Sequence, residues 1–501
     1  MPRNILFITT DQQHWNTLGV LNPEVKTPNL DRLAASGTLF ERAYCPNPTC
    51  TPTRASIITG VHPSRHGAYS LGTKLPEDVP TVGAAMADAG VATALVGKAH
   101  FQQLVSTEEF PSLESYPTLQ NLEFWRAFHG PFYGFDHVEL ARNHTDEAHV
   151  GQHYAIWMEE NGFPEWRDHF RPPTGTQPAQ KHSWSLPERY HYNAWITERS
   201  SALMEKFSAE DTPFFLWASY FDPHPSYLVP EPWASMYDPE TVTVPHGVAG
   251  EHEKNPPHFG LTQTENPDFS RWQERDGNGL HGFQSHLVAP DEAKRNVATY
   301  YGMISMLDAY VGKLLDRLES LGLADETLVV FTSDHGHLFG QHGMTAKGTF
   351  HYEDLIRVPF ITVHPDQSDA GRRSNAIQSL VDIAPSFLSF LGLPVPRFMT
   401  GRNQNDVWKG SVASVRDYAL VENRHQPNRL YAKTYVDARY KITAYYGERW
   451  GELFDLESDP GEHRNLWDDP TMSEIKLGLL HRLLDAAADT EHVPMPRVAI
   501  A

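Results

Sequence analysis

Cysteine is nearly absent from this 501-residue sequence: only Cys45 and Cys50 occur. Two cysteines cannot build a disulfide framework, and a four-cysteine zinc site is excluded. Long apolar runs are missing too. No stretch reaches the roughly 18 uninterrupted apolar residues of a membrane span, so no transmembrane helix is expected. Positive charge is scarce, with 41 Lys and Arg against 63 Asp and Glu, a net charge of −22. That balance argues against a nucleic acid or an anionic membrane as general partner. There is no internal repeat and no low-complexity tract. Met1-Pro2-Arg3 leads straight into the β-type run Asn4–Thr10, with no long apolar leader between them. A soluble cytoplasmic protein is therefore expected.

What is present is ample material for a core. Hydrophobic residues make up 40% of the chain, which excludes wholesale disorder. Strand-type runs at 4–10, 91–96, 214–220 and 327–332 alternate with helical patterns at 28–36, after Arg54, and at 82–89, 195–207, 291–321 and 376–391. Thr27 is the expected N-cap of the first helix, with Pro28 opening it. The alternation predicts an α/β catalytic domain over 1–395, with a large, mostly parallel sheet flanked by helices. Residues 103–190 and 225–289 read as irregular insertions rich in His and Pro. Short strands and an amphipathic helix at 475–487 predict a smaller C-terminal α+β domain over 396–488. The tail, 489–501, carries Val493, Met495, Val498 and Ile500. This apolar character predicts an oligomer contact, giving a homodimer or homotetramer.

Four predicted strands end in polar residues: Asp11-Gln12, Lys98 with His100, His224, and Asp334-His335. Ligands in open α/β sheets gather at strand carboxyl ends. Carboxylate, amide and imidazole groups brought together there suit one divalent cation. Each residue alone has an ordinary reading as a cap, a turn or a core histidine. Only the joint pattern suggests a site.

Cys50-Thr51-Pro52-Thr53-Arg54, continued by Ala55-Ser56 and Thr59-Gly60, resembles the Cys-x-Pro-x-Arg signature of type I sulfatases in the alkaline-phosphatase-like superfamily. Gly97-Lys98-Ala99-His100 is similar to the family's Gly-Lys-x-His segment. Ser333-Asp334-His335-Gly336 and Lys347-Gly348-Thr349 resemble its later metal and lysine segments. Glu452–Pro460, with Glu462 and Asn465-Leu466, resembles its C-terminal motif. These segments fall in the family's order from residue 4 to about residue 470. Cys45 lacks such companions and reads as a core cysteine.

The resemblance implies a sulfate-monoester hydrolase acting on aryl or small organic sulfates. It implies that Cys50 is converted to formylglycine by a formylglycine-generating enzyme, and that the hydrated aldehyde provides an oxygen nucleophile and an exit by elimination. It implies one divalent metal ion, Ca2+ or Mn2+, held by Asp11, Gln12, residue 50, Asp334 and His335. Arg54 would hold the formylglycine, and Lys98 and Lys347 the sulfate oxygens. His224, with Lys347, would protonate the leaving group, and His100 would release sulfate.

One departure stands out. Many sulfatases carry paired acids at the first strand end and Asp-Asn at the second. Asp11-Gln12 and Asp334-His335 instead resemble the branch that includes phosphonate monoester hydrolases, a pattern that admits manganese. Lys98 and His100 are the sulfatase-like choice, so sulfate is the expected main substrate, with phosphodiesters or phosphonates as side substrates. The alternatives are a phosphonate monoester hydrolase, an unconverted metal-binding scaffold, and a cysteine hydrolase.

Overall fold

A computed structural model of the chain describes residues 3–142, 149–170, 181–272, 281–426, 430–491, 495 and 498. The main sheet has eight strands: β1 Asn4–Thr10, β2 Thr38–Phe40, β3 Ala92–Gly97, β4 His137–Leu140, β5 Phe214–Ser219, β6 Thr327–Ser333, β7 Phe360–Val363 and β8 Arg372–Ser374. Their order is β8-β2-β7-β6-β1-β5-β3-β4. Only β7 runs against its neighbours; the others pair in parallel.

Both faces of the sheet are covered, which is why the central strands read as unbroken apolar runs. The helices used below are α1 Pro28–Ala35, α2 Cys50–Thr59, α3 Val82–Asp88, α4 Tyr192–Ala209, α5 Pro290–Ser320 and α6 Ile383–Phe390. Leu6 and Ile8 of β1 point into a core shared with α1, α4 and α5. Ile5 and Phe7 point the other way, into a core shared with α2, α3 and α6. The alternation is the two-residue period of a strand.

A four-stranded antiparallel meander follows: β9 Ala419–Gln426, β10 Leu430–Val436, β11 Tyr440–Tyr445 and β12 Gly451–Asp455. Helix α7, Ser473–Ala488, covers one face. Leu479 and Leu483 pack there on Leu420, Ile442, Leu453 and Trp467. Lys441 reaches back across the interface, where its ammonium donates to the His351 carbonyl and pairs with Glu462.

Several expectations change. The signature helix begins at Cys50 and not after Arg54; Pro52 fits its first turn because no intrahelical N–H is needed there. Thr27 does not cap α1. Its hydroxyl donates to Asp31 and accepts from the Gly19 N–H. The described residues of 103–190 hold more regular structure than their weak periodicity suggested. They supply β4 as the sheet's edge, a helix Gln152–Glu160, and the buried Trp125, Tyr154 and Trp166. The helical pattern at 376–391 shortens to α6, because Gln378–Ser379 pairs with Ala43–Tyr44 as a strand. Strand β12, within the C-terminal motif, was not foreseen. Of the tail, Val493 and Ile500 lie outside the described residues, while Met495 and Val498 are exposed. No helix among the described residues is long and apolar enough to cross a membrane.

Candidate active site

Register makes the strand ends flush. Gly97 lies opposite Ser219, Ser219 opposite Thr9, and Thr10 opposite Ser333. The residues that follow, Lys98, Asp11 and Asp334, therefore emerge side by side at one edge. Helix α2 sets Cys50 over that edge at its N-terminus, the positive end of the helix dipole.

Cys50 is buried, and three functional groups meet its sulfur. Lys347 Nζ donates to Sγ at 2.9 Å, His335 Nε2 lies at 3.2 Å, and Asp11 Oδ1 at 3.5 Å. Burial and Asp11 push the thiol up, the surrounding cations, Lys347 and Lys98 among them, pull it down, and the net shift is below its ordinary value. Burial likewise opposes charge on Asp11. Lys98, with Lys347 and Arg54, pulls the other way, and that carboxyl lies well below the usual range. Lys98 pairs directly with Asp11 Oδ2.

Arg54 is fully buried and stitches the strand ends together. Its Nε donates to Asp334 Oδ2 at 2.8 Å, and Nη1 donates to Ser219 Oγ and the Lys98 carbonyl. Nη2 keeps no hydrogen-bond partner and lies 3.9 Å from Asp11 Oδ2. His224 Nδ1 bonds the Pro225 carbonyl, so that nitrogen carries the proton. Its Nε2 then accepts from Lys347 Nζ at 3.0 Å. Lys347 thus links the nucleophile position to His224. His100, three residues past the end of β3, has left-handed backbone, φ +57°, and a buried Nδ1 without a hydrogen bond. Burial, then Arg142 and Lys98, lower its pKa well below the ordinary value. Its ring is therefore held neutral.

The donors suit a divalent cation. Ligand atoms of Asp11, Cys50, Asp334 and His335 lie within 4.8 Å of one another. Gln12 supplies an independent sign. Its Nε2 is held by His337 Nδ1 at 2.7 Å, while its buried Oε1 has no partner. An orphaned buried acceptor beside two carboxylates and an imidazole is what a hard or borderline cation satisfies. Gln12 holds this position at φ +64°, a strained backbone of the kind kept at functional sites.

Sequence reasoning missed His337, Ser219, Glu114 and Arg142. His337 lies two residues past His335, so following the polar run further would have found it. Its Nε2 bonds the Tyr227 hydroxyl at 2.7 Å, which fixes the ring that orients Gln12. Glu114 accepts from the backbone N–H groups of His100, Phe101 and Gln102, each at 2.8 Å. Arg142 follows β4 and is buried, with its Nε unpartnered and Cys50 within its electrostatic reach. No local pattern marked Glu114 or Arg142.

A large, mostly parallel α/β sheet with lysines, an arginine and potential metal ligands gathered at one edge has the architecture of the alkaline-phosphatase-like fold. Residues 3–393 match the family described as Sulfatase, and residues 340–489 match N-sulphoglucosamine sulphohydrolase, C-terminal. The chain belongs to the sulfatase family and is a sulfuric ester hydrolase. An arylsulfatase of Clostridium perfringens is 27% identical over 495 residues, covering 97% of this chain and 94% of its own length. The multifunctional alkaline phosphatase superfamily protein PehA of Trinickia caryophylli is 26% identical, with coverage of 94% and 93%. The phosphonate monoester hydrolase of Agrobacterium radiobacter superposes with a TM-score of 0.79 at 25% identity, over 98% of this chain and 96% of its own.

Proposed function

We propose that this protein hydrolyses sulfate monoesters, aryl or small organic, with residue 50 acting as formylglycine and one divalent cation bound at Asp11, Gln12, Asp334 and His335. The observation that carries this reading is the meeting of Lys347, His335 and Asp11 at the Cys50 sulfur. The cation would supply Lewis acidity, and the hydrated aldehyde an oxygen nucleophile with an exit by elimination.

The chain's own residues do the rest. Lys98 and Lys347 concentrate positive charge where sulfate oxygens would lie, in a water-poor pocket that strengthens each contact. Arg54 fixes Asp334 and the β3 and β5 ends in one rigid frame. Lys347 donates to His224 Nε2, so this pair can pass a proton to a departing alcohol or phenol. Neutral His100 is the acceptor for the proton lost when sulfate is expelled. Cys50 is 1% exposed, so its conversion by a formylglycine-generating enzyme must precede final folding.

Gln12 and His335 favour a second reading, a phosphonate monoester hydrolase, with manganese as the cation. The likeness to PehA and to the Agrobacterium enzyme supports at least a side activity. Two measurements test the proposal. Mass spectrometry of the peptide around residue 50 should find the thiol replaced by an aldehyde. Parallel kinetics on an aryl sulfate and an aryl phosphonate should give the larger kcat/KM for the sulfate; the reverse order overturns the substrate assignment.

A further inference from the structure

Far along the chain from Cys50, three other ligand-type side chains converge from separate segments. Glu251 opens the short turn Glu251–Lys254, His342 sits in the turn Gln341–Gly343, and His463 follows Glu462 in the C-terminal motif. His463 Nδ1 lies 2.7 Å from Glu251 Oε2, and His342 Nδ1 lies 3.2 Å from the same oxygen. One ligand atom from each residue falls within 4.8 Å of the other two. Glu251 and His342 are buried, and His463 is partly exposed.

The His342 ring is held in place. Its backbone is left-handed, φ +57°, between Gly340 and Gly343, which also have positive φ. The ring stacks on Tyr352 at 3.5 Å with a 7° interplanar angle. Its far nitrogen, Nε2, lies 3.7 Å from Asp354 Oδ2, and Asp354 is anchored by His14. A neutral His342 with its proton on Nδ1, toward Glu251, would turn the Nε2 lone pair on the Asp354 carboxylate. A cation on Nδ1, like a second proton, leaves an N–H on Nε2 facing Asp354, a charge contact of 3.7 Å; a carboxylate on that side is common behind a metal-bound imidazole. Glu251 Oε1 is separately held by the Val248 N–H at 2.9 Å. A cavity of about 590 Å³ adjoins Glu251 and His342, lined in part by Gly247, His252 and Gln263, and leaves room for a water ligand.

We infer that Glu251, His342 and His463 form a second, non-catalytic binding site for a zinc-class divalent cation. Two imidazole nitrogens and one carboxylate oxygen, with a fourth position open to water, are a common zinc donor set. The bound ion would clamp the 247–254 segment and the 341–343 turn to the C-terminal domain.

The test uses metal-stripped full-length protein, titrated with Zn2+ against a chromogenic zinc chelator. Wild type should bind one more zinc per chain than His463→Ala, and Glu251→Gln should lose the same equivalent. Zinc at the catalytic site is common to all three proteins and cancels. His463→Ala removes a partly exposed side chain and should keep wild-type hydrolytic activity, which confirms its fold. Zinc should raise the wild-type Tm more than that of His463→Ala. Equal zinc counts in wild type and His463→Ala overturn the inference and leave an imidazolium–carboxylate hydrogen-bond cluster.

Discussion

Lys347 occupies an unusual place for a lysine. It is buried, and its ammonium donates to both the residue-50 sulfur and His224 Nε2. Removing it takes away charge from the nucleophile and the proton path together. Lys347→Ala should lower kcat by about 100- to 1000-fold, the usual cost of a lost oxyanion donor; steady-state kinetics on an aryl sulfate checks this. His337 acts on the proposed metal site through Gln12. His337→Phe leaves the Gln12 amide without its acceptor. Metal affinity should fall about 10- to 100-fold, as read by calorimetry on stripped protein. Gln12→Glu adds a carboxylate at the same place. It should raise the ratio of calcium- to manganese-supported activity above that of the parent protein, as measured by reconstitution with each.

At the scale of elements, the site depends on how tightly β3 lies on β5. Gly97 has φ +107°, and a Cβ there would meet the Ser219 carbonyl oxygen at 2.0 Å. Both the backbone angle and the close approach require glycine. Gly97→Ala should destabilise the protein by about 1–3 kcal/mol, seen as a lower urea midpoint. It should also disturb Lys98, so activity should fall in the fraction that remains folded. The same closeness explains why Arg54 can bond the Lys98 carbonyl and Ser219 at once.

At the scale of the whole molecule, buried acids set the pH response. Burial pushes Glu452 up to about 7, even though it accepts the Tyr445 hydroxyl at 2.7 Å, and pushes Asp308 up to about 6. The folded state keeps these protons where the unfolded chain has released them. Their contribution is therefore fully present below the unfolded carboxyl values and is lost as pH rises through about 6 to 7. Glu251 shows the opposite sign. Burial opposes its charge, but His342 and His463 hold it down at about 2, so its contribution fades as pH falls below about 4.5. Thermal stability should peak in mildly acidic buffer and decline toward pH 8, with self-repulsion at a net charge of −22 adding to the decline. In calorimetry across pH, Glu452→Gln should flatten the slope between pH 5 and 7. The apolar character of the tail predicts an oligomer contact, so truncation at Asp489 should lower the number of subunits per assembly, as read by light scattering.

The sequence by itself determined the chemistry available at each strand end. The Cys50–Arg54 signature, the Lys98 and His100 segment and the Asp334-His335 pair are local, and a local pattern is readable because its neighbours lie along the chain. The alternation of apolar runs and helical periods likewise set the α/β class, and the short strands with the helix at 475–487 marked a smaller α+β domain whose antiparallel pairing came from the structure. The tertiary structure decided what depends on contacts distant in sequence. Register made four strand ends flush. Arg54 became a buried strut through partners 44, 165 and 280 residues away. His337 and Glu114 gained their roles only from the groups the fold brought to them. The region 103–190 hid its edge strand because β4 is four residues long, too short to show a period, and its order comes from pairing with β3.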